Sequence, residues 1–149
     1  MSASHSTLQD TERYLHEKIP LTRSMDVRVE SFGDHGLVLA APLAPNHNHL
    51  GTAFGGSLAA IATLAGYALL WLELDDRESH IVIKSSSLKY LHPVRSEIRA
   101  ICPRIDPEIL TAFRAKFART GKAGLSLKVS IVGEGHVCVE FEGLFVAIR

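Results

Sequence analysis

NHNHLGTAFGGSLAAIATLAGYALLWLEL, running from Asn46 to Leu74, decides the fold of this chain. It opens with polar, turn-forming residues, passes through a Gly-Gly pair and ends in a long apolar run. No charged residue lies between Pro45 and Glu73, although 21% of the chain is charged. A helix from Gly55 to Leu72 would be about 27 Å long. It is apolar nearly all the way round, so it must be buried on nearly all sides. A sheet wrapped around it can do that.

By length alone the run also fits a transmembrane span. Its composition argues otherwise. Gly55, Gly56, Ser57, Thr63, Gly66 and several alanines interrupt it. No Lys or Arg cluster flanks it, and Glu73, Asp75 and Asp76 follow at once. Small residues on a central helix let a curved sheet come close. No membrane association is expected.

At 149 residues, one domain spanning 1–149 is expected, long enough for a real core. Sixteen basic residues balance sixteen acidic ones, which gives no electrostatic case for nucleic acid or an anionic membrane. The start MSASHSTLQD has neither the basic beginning nor the apolar core of a signal peptide. Cys102 and Cys138 are too few for a disulfide framework or a metal cluster, and they read as small buried thiols. A cytoplasmic protein is expected.

Around the central run, Ser6 to Ile19 reads as a helix with Ser6 and Gln9 at capping-box spacing, stopped by Pro20. Val27–Phe32 and Leu37–Pro42 read as a hairpin about Gly33-Asp34-His35-Gly36. Ile81–Leu91 and Ser96–Pro103 read as strands. Asp106-Pro107-Glu108 is a helix start, with Gly121 as its stop. Phe113, Ala115 and Phe117 also alternate as a strand would, but the caps favour helix. Leu125–Ile131 and Val137–Ile148 complete six strands. Strands gathered around one helix give an α+β fold with an antiparallel sheet, the hot-dog arrangement. An open six-stranded sheet leaves edges that pair or are covered, so a dimer joining two sheets is expected, or a tetramer.

Asn48-His49-Leu50-Gly51-Thr52-Ala53-Phe54-Gly55-Gly56-Ser57 resembles the signature of hot-dog thioesterases. There a His-Gly-Gly triplet opens the central helix and an acid follows two turns later. Ser87-Leu88-Lys89-Tyr90-Leu91-His92-Pro93-Val94 resembles the strand-end pattern that follows the helix in that superfamily. The Phe-Gly-Gly-Ser form and Ile19-Pro20-Leu21-Thr22 are similar to one branch, a thioesterase domain found alone or behind an N-acetyltransferase domain. The likeness to the phenylacetate-type acyl-CoA thioesterases is more distant. It implies a hydrolase acting on thioesters of coenzyme A or acyl carrier protein, with no cofactor. The sequence departs from the better-known pattern twice. Phe54 stands at the histidine position and Thr63 at the acid position, and no Asp or Glu lies between Phe54 and Leu72.

Thioester hydrolysis needs oxyanion donors, a placed water or nucleophile, and a base. The amides of Gly55 and Gly56, at the positive end of the helix, are the expected donors. Asn48 and Thr63 are the expected catalytic polar groups, each able to hold a water. Asn46, His49, Phe54, Ser57, Ser87 and Lys89 are the expected substrate contacts, with the acyl chain near Phe54 and Leu58. Ser57 has no evident activating base. His47 and His49 form an H-x-H pair that can supply a base; a metal there would need further ligands, and none is expected. Lys89, Arg95 and Arg104 can reach coenzyme A phosphates. The missing acid leaves two other classes open: an acyl-CoA binder without turnover, and an enoyl-thioester dehydratase, whose His and acid pair is not visible.

Overall fold

A computed structural model describes residues 3–149. Helix α1 (His5–Lys18) begins at the N-cap Ser4, whose hydroxyl accepts from the Thr7 amide. The expected pairing of Ser6 with Gln9 is replaced by this earlier cap. The Ala3 amide donates to the Phe32 carbonyl (2.7 Å), which fixes where the chain enters the helix. Pro20 ends α1 but also opens a short second helix, α2 (Pro20–Ser24). The first helical position suits proline, because its φ is preset and no N–H is needed there.

Strands β1 (Arg28–Gly33) and β2 (Gly36–Ala41) form the expected hairpin. Gly36 has φ +107°, and a Cβ there would strike the Cys102 carbonyl of the neighbouring strand. A short 3₁₀ turn (Ala44–Asn46) and a loop lead to α3 (Gly55–Leu74). Then follow β3 (His80–Tyr90), β4 (Ile98–Cys102), α4 (Pro107–Thr120), β5 (Lys122–Gly133) and β6 (His136–Ile148). Helix α4 is capped as its sequence indicates: the Asp106 carboxylate accepts from the Glu108 amide, and Gly121 closes the helix at φ +75°. Phe113 and Phe117 are buried from it.

The six strands form one antiparallel sheet in the order β1-β2-β4-β5-β6-β3. It wraps α3, which makes this the hot-dog fold. By length and composition α3 could cross a membrane, but Ile61, Ala62, Ala65, Ala68, Leu69 and Leu70 are fully buried inside the sheet. The helix is not enclosed on all sides, however. Gly56, Ala59, Ala60, Thr63 and Tyr67 line a groove under α2, and Tyr14 of α1 stacks on Trp71 at 4.4 Å to cover its far end.

The two sheet edges differ. Along β1, Glu12 of α1 accepts from the Val29 amide (2.9 Å) and Ala3 donates to Phe32, so α1 and its lead-in blunt that edge. Among the described residues the other edge, β3, pairs only with β6, and it exposes Val82 (48%) and Ile83 (37%).

Candidate active site

The first hydrogen bond of α3 runs from the Leu58 amide to the Phe54 carbonyl. The amides of Gly55, Gly56 and Ser57 therefore have no partner within the helix, and they sit at its positive end. Phe54 is the N-cap, with extended φ/ψ of −65° and 133°, and gives no side-chain cap. Its ring, 56% exposed, folds back over Gly56 so closely that a Cβ there would overlap it. The Tyr90 ring lies 3.7 Å from the Cβ position of Gly55, and its hydroxyl donates to the Gly55 carbonyl (3.3 Å). Each glycine of the pair thus lies under one aromatic ring.

The two glycines line separate openings. Gly56 lies in the wall of an apolar groove of about 660 Å³, between α2, α3 and the β3 edge. Gly55 lies in the wall of a smaller depression of about 310 Å³, formed with Ala53, Leu58, Tyr90, His92 and Pro93. Leu58, expected beside the acyl chain, walls the smaller opening instead. Ala59, Ala60, Thr63 and Ile83 line the larger one.

Asn46 and Asn48 hold the loop ahead of the helix. Asn46 is buried; its Nδ2 donates to the carbonyls of Met25 and Pro42, and its own carbonyl accepts from the Phe54 amide. It ties three segments to the start of α3. Asn48 Oδ1 accepts from the amides of Leu50 and Thr52, and its Nδ2 donates to the Thr52 hydroxyl. Both lone pairs of that oxygen are used, so Asn48 retains only a donor for a water or a carbonyl. Thr63 lines the groove, but its hydroxyl donates to the Ala59 carbonyl (2.8 Å), the ordinary bond of a helical threonine. Ser57 is half-buried at the third position of α3. His49 is exposed on the loop, and His47 donates to the Asn48 carbonyl. Among the described residues no group of three His, Cys, Asp or Glu side chains is placed to hold a metal.

Ser87 and Lys89 lie elsewhere. A bulge between Ile83 and Ser85 shifts the pleat of β3 by one residue. Ile83 faces buried Phe145 and so points toward α3. Beyond the bulge Leu88, opposite buried Phe141, points that way, while Ser87 and Lys89 stand opposite exposed Glu142 and Glu140 on the outer face. The same shift turns Tyr90 inward. Arg104 is likewise committed: it forms an ion pair with Glu73, which is only 3% exposed. Its guanidinium also lies 4.8 Å from the Phe32 ring centre. Arg104 anchors the far end of α3.

Among the described residues, no carboxylate or histidine lines the larger groove. Burial, and then the hydrogen bond with Tyr14, push the Tyr67 phenol up, so it stays protonated at neutral pH. Glu73, the one carboxylate of α3, belongs to the Arg104 pair at the other end. Tyr90 and His92, which the sequence presented only as part of a strand-end pattern, are brought to the start of the helix by the fold.

Residues 8–149 match the family described as "Putative thioesterase (yiiD_Cterm)". The chain belongs to this thioesterase family. A solved Shewanella oneidensis protein described as a putative thioesterase is 32% identical, covering 98% of this chain and 100% of its own, with a TM-score of 0.81. A protein of unknown function from Chlorobaculum tepidum TLS is 31% identical, covering 96% and 94%, with a TM-score of 0.90. A Pseudomonas aeruginosa protein described as a probable thioesterase is 28% identical over 94% and 95%, with a TM-score of 0.80. These agree with the hot-dog fold and with a thioester as the class of substrate.

Proposed function

We propose that this chain hydrolyses acyl thioesters of coenzyme A or acyl carrier protein, with the thioester carbonyl held by the amides of Gly55 and Gly56. The observation that carries this is the pair of consecutive amides left unpartnered at the start of α3, each on a glycine that walls an opening. Water adds to the carbonyl carbon and gives up its proton to solvent water, and the oxyanion that forms is stabilised by the two N–H groups. The C–S bond then breaks, and the departing thiolate takes up a proton. Asn48 and Thr63 are proposed to hold the water, Asn48 as a donor and Thr63 as an acceptor. Asn46 sets the start of the helix, and Phe54 and Ser57 border the carbonyl. His49 is proposed to meet the carrier portion outside.

The bare β3 edge, with Val82 and Ile83 exposed, supports a homodimer formed by pairing this strand with its copy. The larger groove lies beside that edge, so a second protomer would close it. A tetramer would need a further contact, for which the polar outer face around Ser87 and Lys89 is the available surface. The protein is proposed to act in the cytoplasm.

One observation favours a second reading. No carboxylate stands on the groove side of α3, so the site can hold a thioester without hydrolysing it. Thiol release from a panel of acyl-CoA thioesters, short to long, separates the two. Turnover well above background supports hydrolysis. Thermal stabilisation by an acyl-CoA with no thiol released supports the binder.

A further inference from the structure

The two glycines that hold the carbonyl are consecutive, yet each faces a different cavity. Gly56 walls the large groove and Gly55 the small depression. A thioester has an arm on either side of its carbonyl, so a carbonyl placed here has one exit for each arm. The geometry points to the small depression, between Ala53, Tyr90, Leu91, His92 and Pro93, as the subsite for the pantetheine arm of the carrier, with the acyl chain in the large groove. This rests on the reading that Gly55 and Gly56 hold a thioester.

The chemistry of the two cavities assigns the arms. The large groove is walled mainly by aliphatic and aromatic side chains, including Leu64, Ile81, Val82 and Ile83, and suits a hydrocarbon. A pantetheine arm carries two amides, which need polar partners when they leave water. The small depression offers the Tyr90 hydroxyl and the His92 imidazole. The Tyr90 hydroxyl spends its proton on the Gly55 carbonyl, which leaves its oxygen to accept an amide N–H.

The wall is also held in place. The amides of Leu91 and His92 both donate to the Cys138 carbonyl (2.7 and 3.2 Å), and the His92 ring stacks on His136 at 5.1 Å. Val94 accepts from the Ala53 amide (2.8 Å) through its carbonyl, tying this segment to the lead-in of α3. The β3 bulge is what brings Tyr90 to this side at all.

The test is a titration of the ¹⁵N-labelled full chain with pantetheine alone, followed by backbone amide shifts. Saturable shifts at Ala53, Leu91 and His92, with Ala59, Ala60 and Thr63 unmoved, are the expected result. Tyr90→Phe, which keeps the ring over Gly55, and His92→Ala, at an exposed position, should each weaken the binding about tenfold. Shifts confined to the large groove would overturn the assignment, as would the absence of shifts at millimolar pantetheine or affinity unchanged in both variants. The readout does not use turnover. A wild type that releases no thiol but shows these shifts would sink hydrolysis and keep the subsite.

Discussion

The ring of Phe145 lies directly on Gly66: a Cβ on that glycine would sit 2.5 Å from both Cε2 and Cζ of the ring. Phe145 is fully buried on β6 and cannot turn away. Gly66→Ala should therefore destabilise by about 1–3 kcal/mol from overpacking, set against about 1 kcal/mol of helix propensity gained. Gly56→Ala also meets a phenyl ring, but that of Phe54 is exposed and can swing out. Its stability should stay within about 0.5 kcal/mol of wild type. Urea denaturation of the two variants checks this. Equal losses in both would show that Gly66 does not set the helix-to-sheet distance.

Arg104 is expected to be structural. Its guanidinium neutralises Glu73, which is almost wholly buried at the end of α3. Arg104→Ala would leave that carboxylate unpaired, at a cost of about 2–3 kcal/mol, since water can partly replace the half-exposed arginine. Arg104→Ala with Glu73→Leu should recover most of the loss. Affinity for acyl-CoA should not change in a variant that remains folded. A selective loss of affinity would return Arg104 to the phosphate-binding role that its charge suggests.

Cys102 makes stability depend on pH on the alkaline side. Burial pushes its thiol from 9.0 up to about 12. Its folded value lies above its unfolded one, so its contribution is full below pH 9.0 and is lost as pH rises toward about 12. Tyr67 is shifted in the same sense and adds to the fall at higher pH. Wild type should thus lose stability across this window more steeply than Cys102→Ala. Denaturation midpoints measured from neutral to pH 11 compare the slopes; parallel curves would show that Cys102 is not shielded.

The unpaired β3 edge predicts a dimer that depends on it. A lysine at Ile83, whose side chain lines the groove beside this edge, would put a charge where a second protomer is proposed to close the groove. Light scattering on wild type should give twice the 16.3 kDa chain mass, and Ile83→Lys should give the monomer. A wild-type monomer, or a dimer unmoved by Ile83→Lys, would place the contact elsewhere or remove it.

The central helix was legible because its lack of charge over so long a run leaves few ways to bury it. The strands were legible from alternation, and α4 from Asp106, Pro107 and Gly121. Other features turned on information that local spacing does not hold. Pro20 both ends one helix and begins another, since the same ring serves either purpose. The cap of α1 is Ser4 and not Ser6, and the chain just before it is held by Phe32, far away in sequence. The β3 bulge carries no clear sequence mark, yet it decides that Ser87 and Lys89 face out and Tyr90 faces in. The Gly-Gly pair could be located from sequence, but that its two members face different cavities emerges only once β3 is laid against α3.

The most direct test removes one amide. Gly55 is the first residue of α3, and Phe54 before it is already extended, so Gly55→Pro deletes the N–H at a position where proline fits. A Cβ at this position meets only the Tyr90 side chain, at ordinary contact distance. Thiol release from the best acyl-CoA substrate should fall about 100- to 1000-fold, the usual loss of one oxyanion donor, with the melting temperature held or raised. Gly55→Ala, which keeps the N–H, should retain most of the rate. A folded Gly55→Pro protein that releases thiol as fast as wild type would contradict the claim that this amide holds the carbonyl.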